Sequence, residues 1–340
     1  MKPRVTSIVA SLLRAASDGA RSAGLVLLLL PAVFAAHAQS GRSAKADLII
    51  RNGKILTMDE GQPNASAVAV RDGKFVRVGT DKEAMAYQGP QTQVLDAGGR
   101  RVIPGLNDSH IHIIRGGRFY NLEVRWDGVK SLKAGLDMIR EQAKRTPAGQ
   151  WVRVVGGWSE YQFAERRLPT LEEINEVAPN TPVFVLCLYG KAFLNQAALA
   201  AAGITRDTPN PPGGLIEKDE NGEPTGLLVA EPNAFILYST LAKGPVLAFE
   251  DQLNSTRQFM RDLNRFGLTS AVDAGGGFQN YPDDYVTTDT LARRGQLTLR
   301  IPYYLFAQKG GQELQDYGKW ISLVDLDHQD EKSLRQGYSL

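Results

Sequence analysis

The 340-residue chain has little that could staple or chelate it: one cysteine, Cys187, and four histidines. A lone cysteine excludes an intrachain disulfide even in an oxidising compartment, so stability has to come from packing or from a metal. No apolar run reaches the roughly 20 residues that a bilayer-spanning helix needs. A Gly-Xaa-Ser-Xaa-Gly elbow is missing, and the GGG at 275–277 lacks the spacing of a nucleotide loop, so serine-hydrolase and dinucleotide chemistry fall away. Beyond residue 38 a basic excess is also lacking. Lys2, Arg4, Arg14, Arg21 and Asp18 all precede it, leaving 35 basic against 36 acidic residues and a formal charge of −1 rather than +2. That balance argues against nucleic acid or any other polyanionic partner and leaves a small-molecule substrate as the expected one. Nothing in the sequence fixes an oligomeric state.

What is present is an ordinary globular composition, 43% hydrophobic and 22% charged, in a chain long enough for one large barrel or two domains. Residues 1–38 combine a basic region, the short apolar stretch AGLVLLLLPAVFA and the small-residue pattern AHA ending at Ala38. This reads as a cleavable signal peptide, with an uncleaved anchor as the alternative. The expectation is export, to a periplasm, with no stable membrane association after cleavage.

After the polar joint QSGRSAKA, residues 46–100 alternate strand-like runs with turn signals, and Asn52-Gly53 and Asp72-Gly73 mark hairpins in a small β-domain. From 101 to 340 the pattern changes. The runs RVIPGL, WVRVVGGW, PVFVLCLY, LTSAVDA and LTLRIPYYLF alternate with helical stretches near 131–145, 171–177, 192–202, 247–266 and 285–294. Such alternation predicts an α/β fold with a parallel sheet, and its repetition favours a (β/α) barrel. A hairpin-like insertion around Asn221-Gly222 interrupts it.

The stretch PGLNDSHIH (104–112) sets two histidines two residues apart, behind an aspartate. On a strand Asp108, His110 and His112 project to one face, Ser109 and Ile111 to the other. Two imidazoles so spaced can grip one cation, with Asp108 orienting a ligand or the adjacent backbone, or they can be a satisfied surface pair. The end of a barrel strand is where a ligand belongs, which favours the cation.

The segments ADLIIRNGKILTMD, AVAVRDGKFVRVG, VLDAGGRRVIPGLNDSHIH and AAGITRDTPNPPGGLIEKDENGEPTGLL, in this order, resemble the amidohydrolase superfamily, more narrowly the amidohydrolase family 3 metal-dependent hydrolases. The resemblance implies a TIM-like barrel, incomplete here, joined to a small β-sandwich formed by the N-terminal strands. It implies one or two divalent transition metals, zinc foremost and iron or manganese next, activating water against a non-peptide carbon–nitrogen bond. His110 and His112 become the first metal ligands, with Asp108 supporting them. Glu231 is the candidate bridging carboxylate. Asp273 is the candidate catalytic aspartate or ligand orienter, or else a turn cap before glycines.

Lys191 is either a carboxylated bridging lysine or a solvated one, and His328 either a third ligand or a loop histidine. Trp158 and Tyr161, with Phe163, either line a substrate pocket or pack barrel against helix. Cys187 reads as a small core residue. Such relatives supply two further histidines and an aspartate from later strands, and they continue for a couple of hundred residues past the position of Leu340. The expectation is therefore a truncated, frameshifted or fragmentary product, with a catalytically inactive remnant as the alternative to an enzyme. A periplasmic solute-binding protein ranks last, because it explains neither the histidine pair nor the β-domain.

Overall fold

A computed structural model describes residues 45–276, 279–307, 310–323 and 338–339; the signal-peptide reading and His328 lie outside them. The chain separates into two compact units, Met1–Pro104 and Gly105–Leu340.

In the first unit the strands are β1 (Leu48–Arg51), β2 (Lys54–Leu56), β3 (Asn64–Ala65), β4 (Ala67–Arg71) and β5 (Lys74–Gly79). Helix α1 (Asp81–Met85) follows, then β6 (Gln93–Asp96) and β7 (Arg101–Val102). They form a four-stranded sheet in the order β5-β4-β1-β6 and a three-stranded sheet β3-β2-β7. Ile49, Ala67 and Ala69 bury against Ala84 of α1. That helix starts at a capping box, in which Thr80 and Glu83 satisfy each other's backbone N–H groups. Asp72 and Gly73 both take positive φ, 49° and 72°, and turn β4 into β5 as the hairpin signal predicts. Asn52-Gly53 does not make a hairpin. β1 pairs with β4 and β6, while β2 pairs with β3 and β7, so this dipeptide turns the chain from one sheet into the other.

The second unit opens with β8 (Leu106–Ile111), α2 (Ile113–Phe119), β9 (Glu123–Val124), α3 (Leu132–Arg145), β10 (Val152–Val154) and α4 (Leu171–Val177). Next come β11 (Val183–Cys187), β12 (Lys191–Leu194), α5 (Gln196–Ala202), β13 (Gly214–Lys218), β14 (Pro224–Ala230) and α6 (Phe235–Leu241). Then follow α7 (Phe249–Arg265), β15 (Leu268–Asp273), α8 (Val286–Arg293), β16 (Ile301–Pro302), α9 (Glu313–Leu323) and β17 (Tyr338–Ser339).

A six-stranded sheet runs β13-β14-β12-β11-β10-β9, parallel from β9 to β11 and antiparallel beyond. Its alternation is visible in the burial. Val152, Val154, Val183 and Val185 pack with Leu136, Ile139, Ile174 and Val177 on one side, while Phe184 and Leu186 pack with Leu199, Ile236 and Leu237 on the other. Asp219 to Gly222 form the tight turn of the β13–β14 hairpin, with the Asp219 N–H donating to the Glu223 carbonyl at 2.8 Å.

The remaining strands form a second parallel group. β8 pairs with β15, and parallel bridges at Ser270–Arg300 and Asp273–Tyr303 join β15 to the segment containing β16. Gly105 is required here, because a Cβ would stand 2.2 Å from Thr269. Among the described residues no strand pairing joins this group to the six-stranded sheet, so their pairing does not close a barrel. The expected barrel is present only as its parallel βα parts. Among the described residues β9 pairs only with β10 and β8 only with β15, which leaves each sheet with an open edge.

Candidate active site

His110 lies inside β8 and His112 caps the N-terminus of α2 directly after it, with an irregular backbone (φ −115°, ψ 65°). The two rings approach edge to face with centroids 5.6 Å apart. His110 is exposed and His112 half-buried. The Nδ1 atom of His112 is buried without a hydrogen-bond partner. Burial, first, and then the Arg115 guanidinium push the His112 pKa below its ordinary value, against the pull of Asp273 and the Gly275 backbone. Asp108 accepts the His110 backbone N–H at 2.9 Å and so fixes the strand's local path.

Asp273 ends β15, fully buried. Its carboxylate accepts the backbone N–H groups of Ile114 (2.8 Å) and Gly275 (2.9 Å) and the Gln279 amide (3.2 Å). The Gly275 bond is the turn cap that its position before glycines suggests. The Ile114 bond supplies the acceptor that α2 lacks, since the His112 side chain makes no capping bond.

A cavity of about 540 Å³ is walled by His112 and Arg115 on one side and by residues at the carboxyl ends of β10 and β11, among them Val155 and Leu188, on the other. Sequence reasoning missed its charged residues. Arg153, 3% exposed, lays its guanidinium over the Phe119 ring at 4.2 Å. Burial pushes its pKa down to about 10, with Arg118 adding to the effect and Glu123 opposing it. Glu123 pairs with Arg125, and burial raises its carboxyl above the usual range despite Arg125, Arg153 and Arg115. Arg118 pairs with Asp284, and Arg115 lies over Tyr238 at 4.5 Å. The available signal was charge inside buried strands: Arg153 alternates with valines in WVRVV, and Glu123 sits in LEVRW.

Other expected site residues fall elsewhere. Trp158 does not line the cavity; it is 1% exposed, packed against Trp126 and Phe163, and its indole N–H donates to the Leu186 carbonyl at 2.7 Å. Tyr161 is 73% exposed and also outside the cavity. Glu231 is exposed beyond β14, linked by a cis peptide to Pro232, and is not brought to the histidines. Lys191 is exposed at the start of β12. Cys187 is buried in the core, and burial raises its thiol.

Among the described residues, no three His, Cys, Asp or Glu side chains converge as a metal site. The histidine pair supplies two donors where a catalytic zinc takes three from protein, and Asp273 already accepts three hydrogen bonds. The described residues therefore do not complete a metal centre by themselves.

Residues 93–337 match the family model described as the amidohydrolase family. The N-substituted formamide deformylase of Arthrobacter pascens is 33% identical over 301 residues, 86% of this chain and 53% of that protein. The putative amidohydrolase YtcJ of Bacillus subtilis is 35% identical over 192 residues, 56% of this chain and 36% of that protein. The chain thus spans about half, or less, of the length of these relatives. An uncharacterized metal-dependent hydrolase from Pyrococcus horikoshii shares its fold at a TM-score of 0.54 and 22% identity, over 81% of this chain and 50% of that one. With most of its length inside the matched region, this chain belongs to the amidohydrolase family.

Proposed function

We propose that the protein hydrolyses a non-peptide carbon–nitrogen bond of a small amide, cyclic amide or N-acyl compound, using a divalent transition metal held in part by His110 and His112. The observation that carries this reading is the meeting of the two imidazoles at the carboxyl end of β8, one of them on the wall of a cavity large enough for a small ligand. Family membership and the named activity of the formamide deformylase relative support the bond type. Among the described residues no third His, Cys, Asp or Glu joins the pair. Zinc suits imidazole ligands best in this reading, with iron and manganese as the alternatives. Asp273 acts as a positioning residue that holds the backbone after His112. The basic, apolar and small-residue pattern of residues 1–38 supports export to a periplasm.

The test is turnover of an N-substituted formamide and of an N-acyl amine by the purified chain, with and without chelator. Chelator-sensitive release of amine supports the proposal, and its absence for both substrates after metal loading contradicts it. A second reading, ligand or metal binding without turnover, is favoured by the two-donor set. Stoichiometric metal uptake with no release of amine from either substrate would establish it.

A further inference from the structure

The charges of the cavity wall do not cancel. Three arginines line it, Arg115, Arg118 and Arg153, against two acids, Glu123 and Asp284. Asp284 is taken by Arg118, and Glu123 by Arg125, which is not part of that wall. Arg153 is different from the others. It is almost wholly buried, Phe119 covers one face of its guanidinium, and its Nε has no hydrogen-bond partner. At its outer end Nη2 donates to the Pro245 carbonyl at a long 3.4 Å. A buried guanidinium with an unmet donor is costly unless something pairs with it. Glu123 attracts this guanidinium, but its carboxylate is already paired with Arg125.

We propose that Arg153 binds a carboxylate of the substrate, so that the cavity selects amides carrying one negative charge, such as N-acyl amino acids, over neutral amides. The planar guanidinium fork matches a carboxylate, and an excess of one positive charge on the wall matches a monoanion better than a phosphate dianion. Apolar wall residues Phe119, Val155, Leu186 and Val246 suit an aliphatic acyl chain or side chain. This inference rests on the hydrolase reading for the word substrate, but its test does not depend on turnover.

The probe is levulinate, the analogue of N-acetylglycine in which a methylene replaces the amide nitrogen, with methyl levulinate as its neutral counterpart. Neither has a carbon–nitrogen bond to cut. Binding to the full chain is measured by ligand-observed NMR titration. Levulinate is expected to bind about tenfold or more tightly than the ester, the range for a hydrogen bond to a charged group. Arg153→Gln should remove the preference and leave ester binding unchanged. Arg153→Lys, which keeps the charge but not the fork, should weaken levulinate binding severalfold. It also decides the matter if the glutamine variant does not fold. Equal affinity for acid and ester, or levulinate binding undiminished in either variant, overturns the proposal. Inorganic phosphate binding more tightly than levulinate at the same place overturns it in favour of a phosphate site. Failure to hydrolyse both the formamide and the N-acyl amine would sink the hydrolase reading while leaving this binding result intact.

Discussion

The carboxylate of Asp273 accepts the backbone N–H of Ile114 at 2.8 Å across 159 residues of chain, joining the end of β15 to the first turn of α2 immediately after His112. The same carboxylate binds the Gly275 N–H, so two buried backbone donors depend on one side chain.

Asp273→Ala leaves both donors unmet, at roughly 1–3 kcal/mol each. The expected loss of stability is about 2–6 kcal/mol, measured by urea unfolding. Asp273→Asn keeps an acceptor oxygen and should lose less. An alanine variant as stable as the parent would show that the bond does not hold α2 in place.

Trp158 and Tyr161 lie three residues apart and should behave oppositely. Trp158→Ala empties a buried site against Trp126 and Phe163 and strands the Leu186 carbonyl, for an expected cost of about 3–5 kcal/mol. Tyr161→Ala removes an exposed ring and should stay within about 0.5 kcal/mol. Unfolding curves for the two variants check this, and near-equal effects would argue against the core packing described.

Glu123 gives a pH dependence whose sign follows from burial. Its folded pKa is raised above the ordinary 4.5, so in the window just above that value the folded state holds a proton that the unfolded state has lost. Stability from this group is therefore fully present below about pH 4.5 and is lost as pH rises through the raised value. Glu123→Gln should flatten the stability profile in this window, as read from melting temperatures across a pH series. An unchanged profile would mean that Arg125 and Arg153 hold the carboxylate ionised after all.

Much of the second unit was legible because periodicity reports burial. The helices at 132–145, 171–177, 249–265 and 286–293 coincide with apolar stripes at helical spacing, and β10, β11 and β15 coincide with apolar runs. The histidine pair was legible as a pair, and its rings meet edge to face, but His112 lies past the end of β8 as the cap of α2, so strand alternation does not place it.

Other features depend on tertiary pairing. The stretch 192–202 reads as one helix, yet Lys191–Leu194 returns antiparallel along β11. The helix begins only after Asn195, whose buried amide oxygen accepts the Ala198 and Val183 N–H groups at 3.0 and 2.9 Å. Asn-Gly at 52–53 carries a hairpin signal but serves a change of sheet, because β2 finds partners other than β1. Trp158 follows a strand end, and only packing decides that its ring turns into the core and not toward the cavity. Glu231 has a plausible place in the sequence order, but the chain carries it to an exposed bend at Pro232.

The proposed function depends most on His110 in β8 and His112 directly after it sharing one cation. The direct measurement is the metal content of the purified chain after loading with zinc and removal of the excess, compared with that of His110→Ala combined with His112→Ala. Because imidazole ligands carry the affinity in this account, the parent should retain about one equivalent or more and the double variant less than about half of one. Equal retention by both chains, or less than about half an equivalent in the parent, would contradict it.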